Sequence, residues 1–529
     1  MQKLHRLLLI AALVAIYLFG SYASLKAGLT WDELPEYFTF LANVTAVHGL
    51  LHGDITAYKE LLNFGDRYYG IGFHVPAHFI QQLIEKPVAG YFDITRDTAY
   101  FLSKHWVVFN LFFCSGILVR NLMRQFTSDE IFSSLAVICF LLWPYVFGHA
   151  MINVKDIPFM FAWLLCTNYS FSMARRYCDG QTIGRLSILL LAIFTGWLFS
   201  IRIAGILVLF QYMIMAFYLR GARRSSESLQ VAFPAAHIPL FAICLAFFVY
   251  VAYPVFWMNP FEVFNAIAYM SHHPSGELNV CTRTFDICMH GKSPITYIPL
   301  WLSVKLPVAI IAGYLILPMA LMRMTGRNNG IDSRLFKTAL LTSLSIPLLL
   351  IVRHVSLYNE IRQLLFLMPL FYCVGMVSLY IVSRKIAIAA LLVSISIFIA
   401  DQYLAFPYQY IWFNEVARQF KVEKYFEIDY WGASGRGLAN QLTVAVKRVG
   451  PVNCLYADPY LLTLPFLGKE FTGCYRWLYD LPPDSPRPYL TASFSKTTRI
   501  VNCPEILREK FRLFLGNGDI TVGSIRYCQ

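Results

Sequence analysis

The stretch LLLIAALVAIYLFGSYASLKAGLTWDELPEY, Leu7 to Tyr37, joins a long apolar run to two adjacent carboxylates, Asp32 and Glu33. A run of this length matches the ~20 residues an α-helix needs to cross a hydrocarbon core about 30 Å thick. Ionisable side chains in or beside lipid are costly, rare and a mark of function. The junction therefore predicts a helical membrane protein with chemistry at the mouth of its first span.

Composition agrees along the whole chain. Of 529 residues, 57% are hydrophobic and only 14% charged, where soluble domains carry roughly a quarter charged. Apolar runs predict eleven transmembrane helices, near 5–24, 99–120, 131–148, 158–174, 186–201, 203–220, 234–255, 297–322, 338–352, 363–383 and 386–404. The first is read as a retained signal-anchor rather than a cleaved signal peptide, because it is long for an h-region.

Alternate short loops carry Arg120, Arg124, Arg175, Arg176, Arg185, Arg220, Arg223, Arg224, Arg323, Arg327, Arg334, Lys337, Arg384 and Lys385. Positive charge collects on the cytoplasmic side. This predicts a cytoplasmic N-terminus and accounts for much of the net charge of +13 without nucleic acid. The opposite loops then face outside, near 25–97, 149–157, 256–296 and 353–362, together with everything after about 405. Six cysteines fall there: Cys281 and Cys288 in one loop, and Cys454, Cys474, Cys503 and Cys528 in the tail. Even numbers in each group suit disulfides in an oxidising compartment.

The domain reading is 1–404 as a polytopic helical part, with external loops near 25–97 and 256–296, and 405–529 as a small extracytoplasmic α/β domain. In the tail, LTVAVKRV, NCLYAD and DITVGSIRYC alternate like strands, and EILREKFRLFL reads as a helix. Short amphipathic pieces in the first external loop are expected to lie in the membrane interface.

The charged residues at outer span ends are Asp32 and Glu33, Lys155 and Asp156 in GHAMINVKDIPF, Arg202 in LFSIRIAGIL, and Arg353, His354, Glu360 and Arg362 in IVRHVSLYNEIRQ, with Lys305 about two turns into a span. All share one predicted side of the membrane. Singly each is explained by a helix end or by snorkelling; together they combine carboxylates able to accept a proton with cations able to hold a phosphate.

WDELPEY, NVKDIPF, SIRIAGIL, AYMSHHPSG, ITYIPLWLSVKLPV, LYNEIRQLLFLMPLF, YQYIWFNEV and FEIDYWGAS follow one another between about 25 and 440. In this order they resemble bacterial members of glycosyltransferase family 39. These are GT-C membrane enzymes related to protein O-mannosyltransferases and to the aminoarabinose transferase that modifies lipid A. Two features depart from that pattern: Gln363 stands where many relatives have His, and the insert holding Cys281 and Cys288 is particular to this chain.

The resemblance implies inverting transfer of a sugar from a polyprenyl-phosphate donor, such as undecaprenyl phosphate, to a lipid A, glycan or protein acceptor. The reaction would take place at the outer face of the bacterial inner membrane. Asp32 is then the expected general base, Glu33 orients the acceptor, and Asp156 holds a cation or a divalent metal. Arg202, Arg353 and Arg362 are expected at the donor phosphate, with Lys305 and Arg67 beside them, and Tyr68, Tyr69, His74, His354 and Glu360 in the donor and acceptor pocket. The plain role of the loop tyrosines is interfacial anchoring. No cofactor is required, no HExxH motif is present, and the Asp429–Gly432 segment DYWG is read as packing. The competing readings are a lipid-linked sugar flippase, a ligase using pyrophosphate-linked glycans, and a noncatalytic glycolipid-binding member.

Overall fold

The computed structural model describes residues 2–224, 237–271, 279–282, 287–290, 293–326, 332–468, 473–499 and 501–529. His272, His273 and Arg327 lie outside the described residues. Five helices are long and apolar enough to cross a membrane: Lys3–Lys26, Arg96–Phe126, Ser333–Val352, Arg362–Val382 and Arg384–Leu404. Two bent pairs raise the number to seven if each counts as one span: Glu130–Leu142 with Pro144–Ile152 at 54°, and Tyr297–Lys305 with Val308–Leu315 at 118°. The breaks fall at Pro144 and Pro307, where a missing N–H and a bulky ring interrupt the helical ladder.

The expectation of eleven spans is therefore corrected to five to seven. Arg185–Ile201, Ile203–Leu219 and His237–Ala252 have at most 17 residues, about 26 Å at 1.5 Å per residue, short of a full core. Asp156–Cys178 is long enough at 23 residues, but the polar run Thr167–Asn168–Tyr169–Ser170 lowers its hydropathy.

The helices have two chemically different ends. At one, Arg120 and Arg124 each pair with Glu130 at 2.7 Å, Arg384 pairs with Asp129, and Arg334 reaches Cys178 at 3.2 Å. At the other lie Asp156 and Arg362, separated from the first end by the lengths of Asp156–Cys178 and Arg362–Val382. For the longer helix that is about 33 Å.

A hairpin of β1 (Asn279–Thr282) and β2 (Ile287–His290) sets Cys281 opposite Cys288 in register; their side chains lie outside the described residues. The tail sheet contains β3 (Cys454–Asp458), β4 (Cys474–Trp477), β5 (Tyr489–Phe494), β6 (Glu505–Arg512) and β7 (Asp519–Cys528), in the order β4-β3-β5-β7-β6. β3 runs parallel to β4 and β5, and β7 antiparallel to β5 and β6. Helix Gly435–Val449 covers this sheet with Leu438, Leu442 and Ala445.

Two local readings exchange places. LTVAVKRV belongs to that helix, because its buried residues recur every three to four positions. EILREKFR is the edge strand β6, because pairing with β7 overrides the helical tendency of its charged residues. Residues 405–434 pack with the helices: Tyr408, Trp412, Phe413 and Trp431 share the main core with Trp143 and Trp163. Arg418 fastens the sheet to this core. It pairs with Asp401 at 2.7 Å and donates to the Phe514 carbonyl at 2.8 Å, while Phe514 N–H donates to Asp401 at 2.7 Å.

Disulfides join Cys454 to Cys474 and Cys503 to Cys528, closing sequence separations of 20 and 25 residues. Peptide mapping without reduction is expected to recover these two pairs and no Cys454–Cys503 or Cys474–Cys528 peptide. Free thiols at all four positions would contradict both the pairing and an oxidising location for the tail.

Candidate functional site

The loop after the first helix solves a local backbone problem before it makes a site. Thr30-Trp31-Asp32-Glu33 has the spacing of a capping box. Glu33 reaches back so that its carboxylate accepts the Thr30 N–H at 2.8 Å, and Glu33 N–H donates to the Thr30 carbonyl at 3.2 Å. The same carboxylate pairs with buried His105 at 3.0 Å. Glu33 is thus held within the loop by Thr30 and His105, and its neighbour Asp32 projects.

A cap positions the second acid. Asn153 Oδ1 accepts the N–H groups of Lys155 at 3.2 Å and Asp156 at 2.8 Å, and its Nδ2 donates to the Asp156 carboxylate at 3.0 Å. Asp156 consequently stands at the start of its helix, where the helix dipole favours negative charge.

Arg362 unites the two acids. Its Nη1 lies 3.0 Å from Asp32 and 3.3 Å from Asp156, and Asp156 also pairs with Arg202. The guanidinium rests 4.9 Å from the Trp431 ring centroid and 5.4 Å from that of Tyr358. Arg362 Nε is buried with no acceptor among the described residues. Burial alone would raise the Asp156 carboxyl, but Arg202 and Arg362 outweigh it and hold the group below the ordinary carboxylate range. Exposure separates the roles: the Asp32 side chain is 31% exposed and that of Arg202 18%, against 2% for Asp156 and 4% for Arg362.

A third pair adjoins this chain of charges. Lys155 pairs with Glu36 and sits 3.4 Å from the Tyr69 ring centroid, and Glu36 also takes His74 at 3.1 Å. Burial opposes ionisation of Glu36, yet Lys155 and His74 more than offset it and keep the carboxyl below its usual range. Tyr69 is carried by a loop whose Gly72 fits tightly on Ser200: its N–H donates to the Ser200 carbonyl at 2.9 Å, and a Cβ there would meet Ser200 Oγ at 1.8 Å. This docking brings the loop beside Arg202, two residues further along.

Behind Arg362, fully buried Lys305 pairs with Glu360 at 2.9 Å and donates to the Ile411 and Trp412 carbonyls at 3.2 and 3.0 Å. Asn359 and Glu360 both adopt left-handed backbone, with φ of 55° and 63°. Such strain in consecutive non-glycine residues persists only where surrounding contacts enforce it. Burial is the main influence on the Glu360 carboxyl and, against Lys305, brings it up to about 7.

Of the residues expected from sequence, Asp32, Asp156, Arg202 and Arg362 come together directly, with Tyr69 and His74 joined through Lys155 and Glu36. Lys305 and Glu360 form the adjoining pair. Arg67 and Tyr68 belong to a separate cluster, in which Arg67 stacks on Tyr68 and Tyr68 donates to Glu262. Arg353 is exposed at the end of its helix, and His354 has its Nδ1 buried without a partner among the described residues. Glu36 and Trp431 complete the arrangement without having been singled out. Glu36 follows Glu33 by three residues, the spacing of neighbours along a helix; Trp431 gave no local signal. Among the described residues no three His, Cys, Asp or Glu side chains gather as a metal site. No family model matches the chain, and no curated protein matches it.

The burial difference predicts a stability contrast. Asp156→Asn leaves buried guanidinium charge uncompensated, with an expected loss of about 3–5 kcal/mol, whereas Asp32→Asn at the exposed edge is expected to cost about 1 kcal/mol or less. Thermal unfolding of both variants in one detergent checks this, and equal melting temperatures would contradict it. For Glu360 the folded-state pKa lies above the ordinary value of 4.5. The folded chain therefore binds this proton more tightly, and the contribution of Glu360 to stability falls as pH rises from about 4.5 through about 7. The difference in melting temperature between wild type and Glu360→Gln is expected to change across that window and to be flat above pH 8.

Proposed function

We propose that the protein is a glycosyltransferase that moves a sugar from a polyprenyl-phosphate carrier to an envelope acceptor at the outer membrane face. The observation that carries this reading is the contact of one partly exposed carboxylate, Asp32, with Arg362, which buried Asp156 links to a second arginine, Arg202. A sugar phosphate needs both parts. The departing phosphate is stabilised by cations in a partly desolvated site, where they act more strongly than in water, and the incoming hydroxyl must lose a proton.

Asp32 takes that proton as the acceptor oxygen attacks the anomeric carbon. The bond from that carbon to the phosphate oxygen breaks with its electron pair, and Arg202 and Arg362 receive the phosphate charge. Asp156 holds both guanidinium groups in place. Glu33 holds the loop that presents Asp32, a positioning role. Lys155, Glu36, Tyr69 and His74 form the wall nearest the sugar, and the Lys305–Glu360 pair fixes the backbone two residues before Arg362. Asp156, enclosed and paired with both Arg202 and Arg362, does not fit a divalent metal.

A flippase needs polar groups along a path through the membrane. At the far end Arg120 and Arg124 pair with Glu130 and Arg384 with Asp129, and Leu364–Leu379 between the two ends is buried and apolar apart from Tyr372 and Ser378. This favours chemistry at one face.

The test uses purified full-length protein in lipid, a panel of polyprenyl-phosphate sugars and an envelope extract, with released polyprenyl phosphate and glycosylated product followed by mass spectrometry. Wild type is expected to turn over one donor, and Asp32→Asn to lose about 10²–10⁴ in rate. Equal turnover would remove Asp32 as the base, and no turnover of any donor would remove the transferase reading.

A further inference from the structure

A cavity of about 640 Å³ lies at the far end of the helices, away from the charged site. It is enclosed by the ends of Asp156–Cys178, Arg185–Ile201, Leu207–Arg224 and His237–Ala252, with Met173, Ile188, Leu191, Leu209, Met215 and Phe241 on its walls. That volume falls in the range of about 300–1,000 Å³ typical of ligand pockets. An apolar cavity of about 150 Å³ already stays dry and takes up benzene. Its lining begins 14 residues beyond Asp156, at Ser170, so it starts about 21 Å along the helix from the proposed reaction centre.

Two observations identify the occupant. The mouth opens sideways: Met213 and Ile238 line the cavity yet are 61% and 64% exposed, and Phe217 and Phe247 on the same two helices are 73% and 60% exposed. These helices present hydrocarbon to their surroundings, which for a membrane-embedded flank are lipid chains. The cavity also adjoins basic helix ends. Arg176 immediately precedes the lining residue Tyr177 and reaches Ser187 at 3.4 Å, and Arg185 starts the helix that carries Ile188. Ile183, in the connecting loop, closes the cavity on that side.

We infer that this cavity binds one acyl chain of an anionic phospholipid from the adjacent leaflet, with its phosphate at the basic helix ends. The chain removes apolar wall from any contact with water, and the phosphate is attracted by the basic helix ends. This inference is independent of the transferase reading, since it concerns the opposite leaflet and a lipid that is not consumed.

The experiment is native mass spectrometry of the full-length protein exchanged through nanodiscs of phosphatidylglycerol and phosphatidylcholine in equal amounts, with and without added undecaprenyl phosphate. Wild type is expected to retain one phosphatidylglycerol in at least fivefold preference to phosphatidylcholine. Ala216→Trp, which fills the cavity, is expected to lose that lipid. Leu191→Phe, a milder filling in case the first variant does not fold, is expected to reduce retention at least threefold. Arg176→Gln with Arg185→Gln is expected to abolish the preference for phosphatidylglycerol while keeping a bound lipid. Equal retention by wild type and a folded cavity-filling variant would overturn the inference. So would wild type holding both phospholipids equally, or displacement of the phospholipid by undecaprenyl phosphate, which would assign the cavity to an isoprenoid chain instead.

Discussion

The Arg362 guanidinium, held between Asp32 and Asp156, is the interaction on which the arrangement of this end of the molecule depends. It ties together three distant parts of the chain: the loop after the first helix, the start of Asp156–Cys178, and the start of Arg362–Val382. A buried guanidinium is expensive unless its charge is met on more than one side. Two carboxylates and the faces of Trp431 and Tyr358 meet it here. The aromatic wall in turn depends on the segment after the last span, where Trp31 N–H donates to the Trp431 carbonyl at 3.2 Å and a Cβ on Gly28 would strike the Ala433 carbonyl oxygen at 2.0 Å. First loop and post-membrane segment thus approach closely enough to exclude a side chain between them.

That dependence explains which features were legible in the sequence. A charge at the end of an apolar run is visible one run at a time, so Asp32, Asp156, Arg202 and Arg362 could each be picked out. Their common side followed from the alternation of basic loops. The division between the two adjacent acids was not read: Glu33 was expected to orient the acceptor, whereas its carboxylate accepts the Thr30 N–H and pairs with His105. Trp431 was not legible, because nothing in DYWG distinguishes a tryptophan that packs a domain joint from one that backs an arginine. Only the folded chain decides it, where Gly28 abuts Ala433, Gly432 abuts Trp31, and Trp431 comes to lie against Arg362.

The span count failed for a related reason. Hydropathy measures what a segment can tolerate, whereas crossing a membrane also requires length, and helices of 16 or 17 residues are too short to cross upright. Pro144 and Pro307 were visible, but the bends of 54° and 118° depend on how each half packs. In the tail, β6 and helix Gly435–Val449 exchanged the structures read from their patterns. An edge strand of alternating charge is fixed by its partner β7, and the helix by the sheet it covers, and neither partner is local.

Charge balance adds a constraint on how such a site can work. Asp32, Glu36 and Asp156 face Arg202, Arg362 and Lys155, three negative groups against three positive ones. A phosphate entering this neutral set adds uncompensated negative charge unless it displaces a carboxylate from a cation. Asp156 is too deeply enclosed to yield, and Glu36 is held by both Lys155 and His74. Asp32 has one cationic partner and the most exposed side chain of the three. On the transferase reading, donor binding thus exchanges phosphate for Asp32 on Arg362. The exchange gives the guanidinium its new charge and at the same time frees the carboxylate from its ion pair to meet the acceptor hydroxyl. Phosphate binding and base activation become one step, which a site with Asp32 permanently unpaired would not couple.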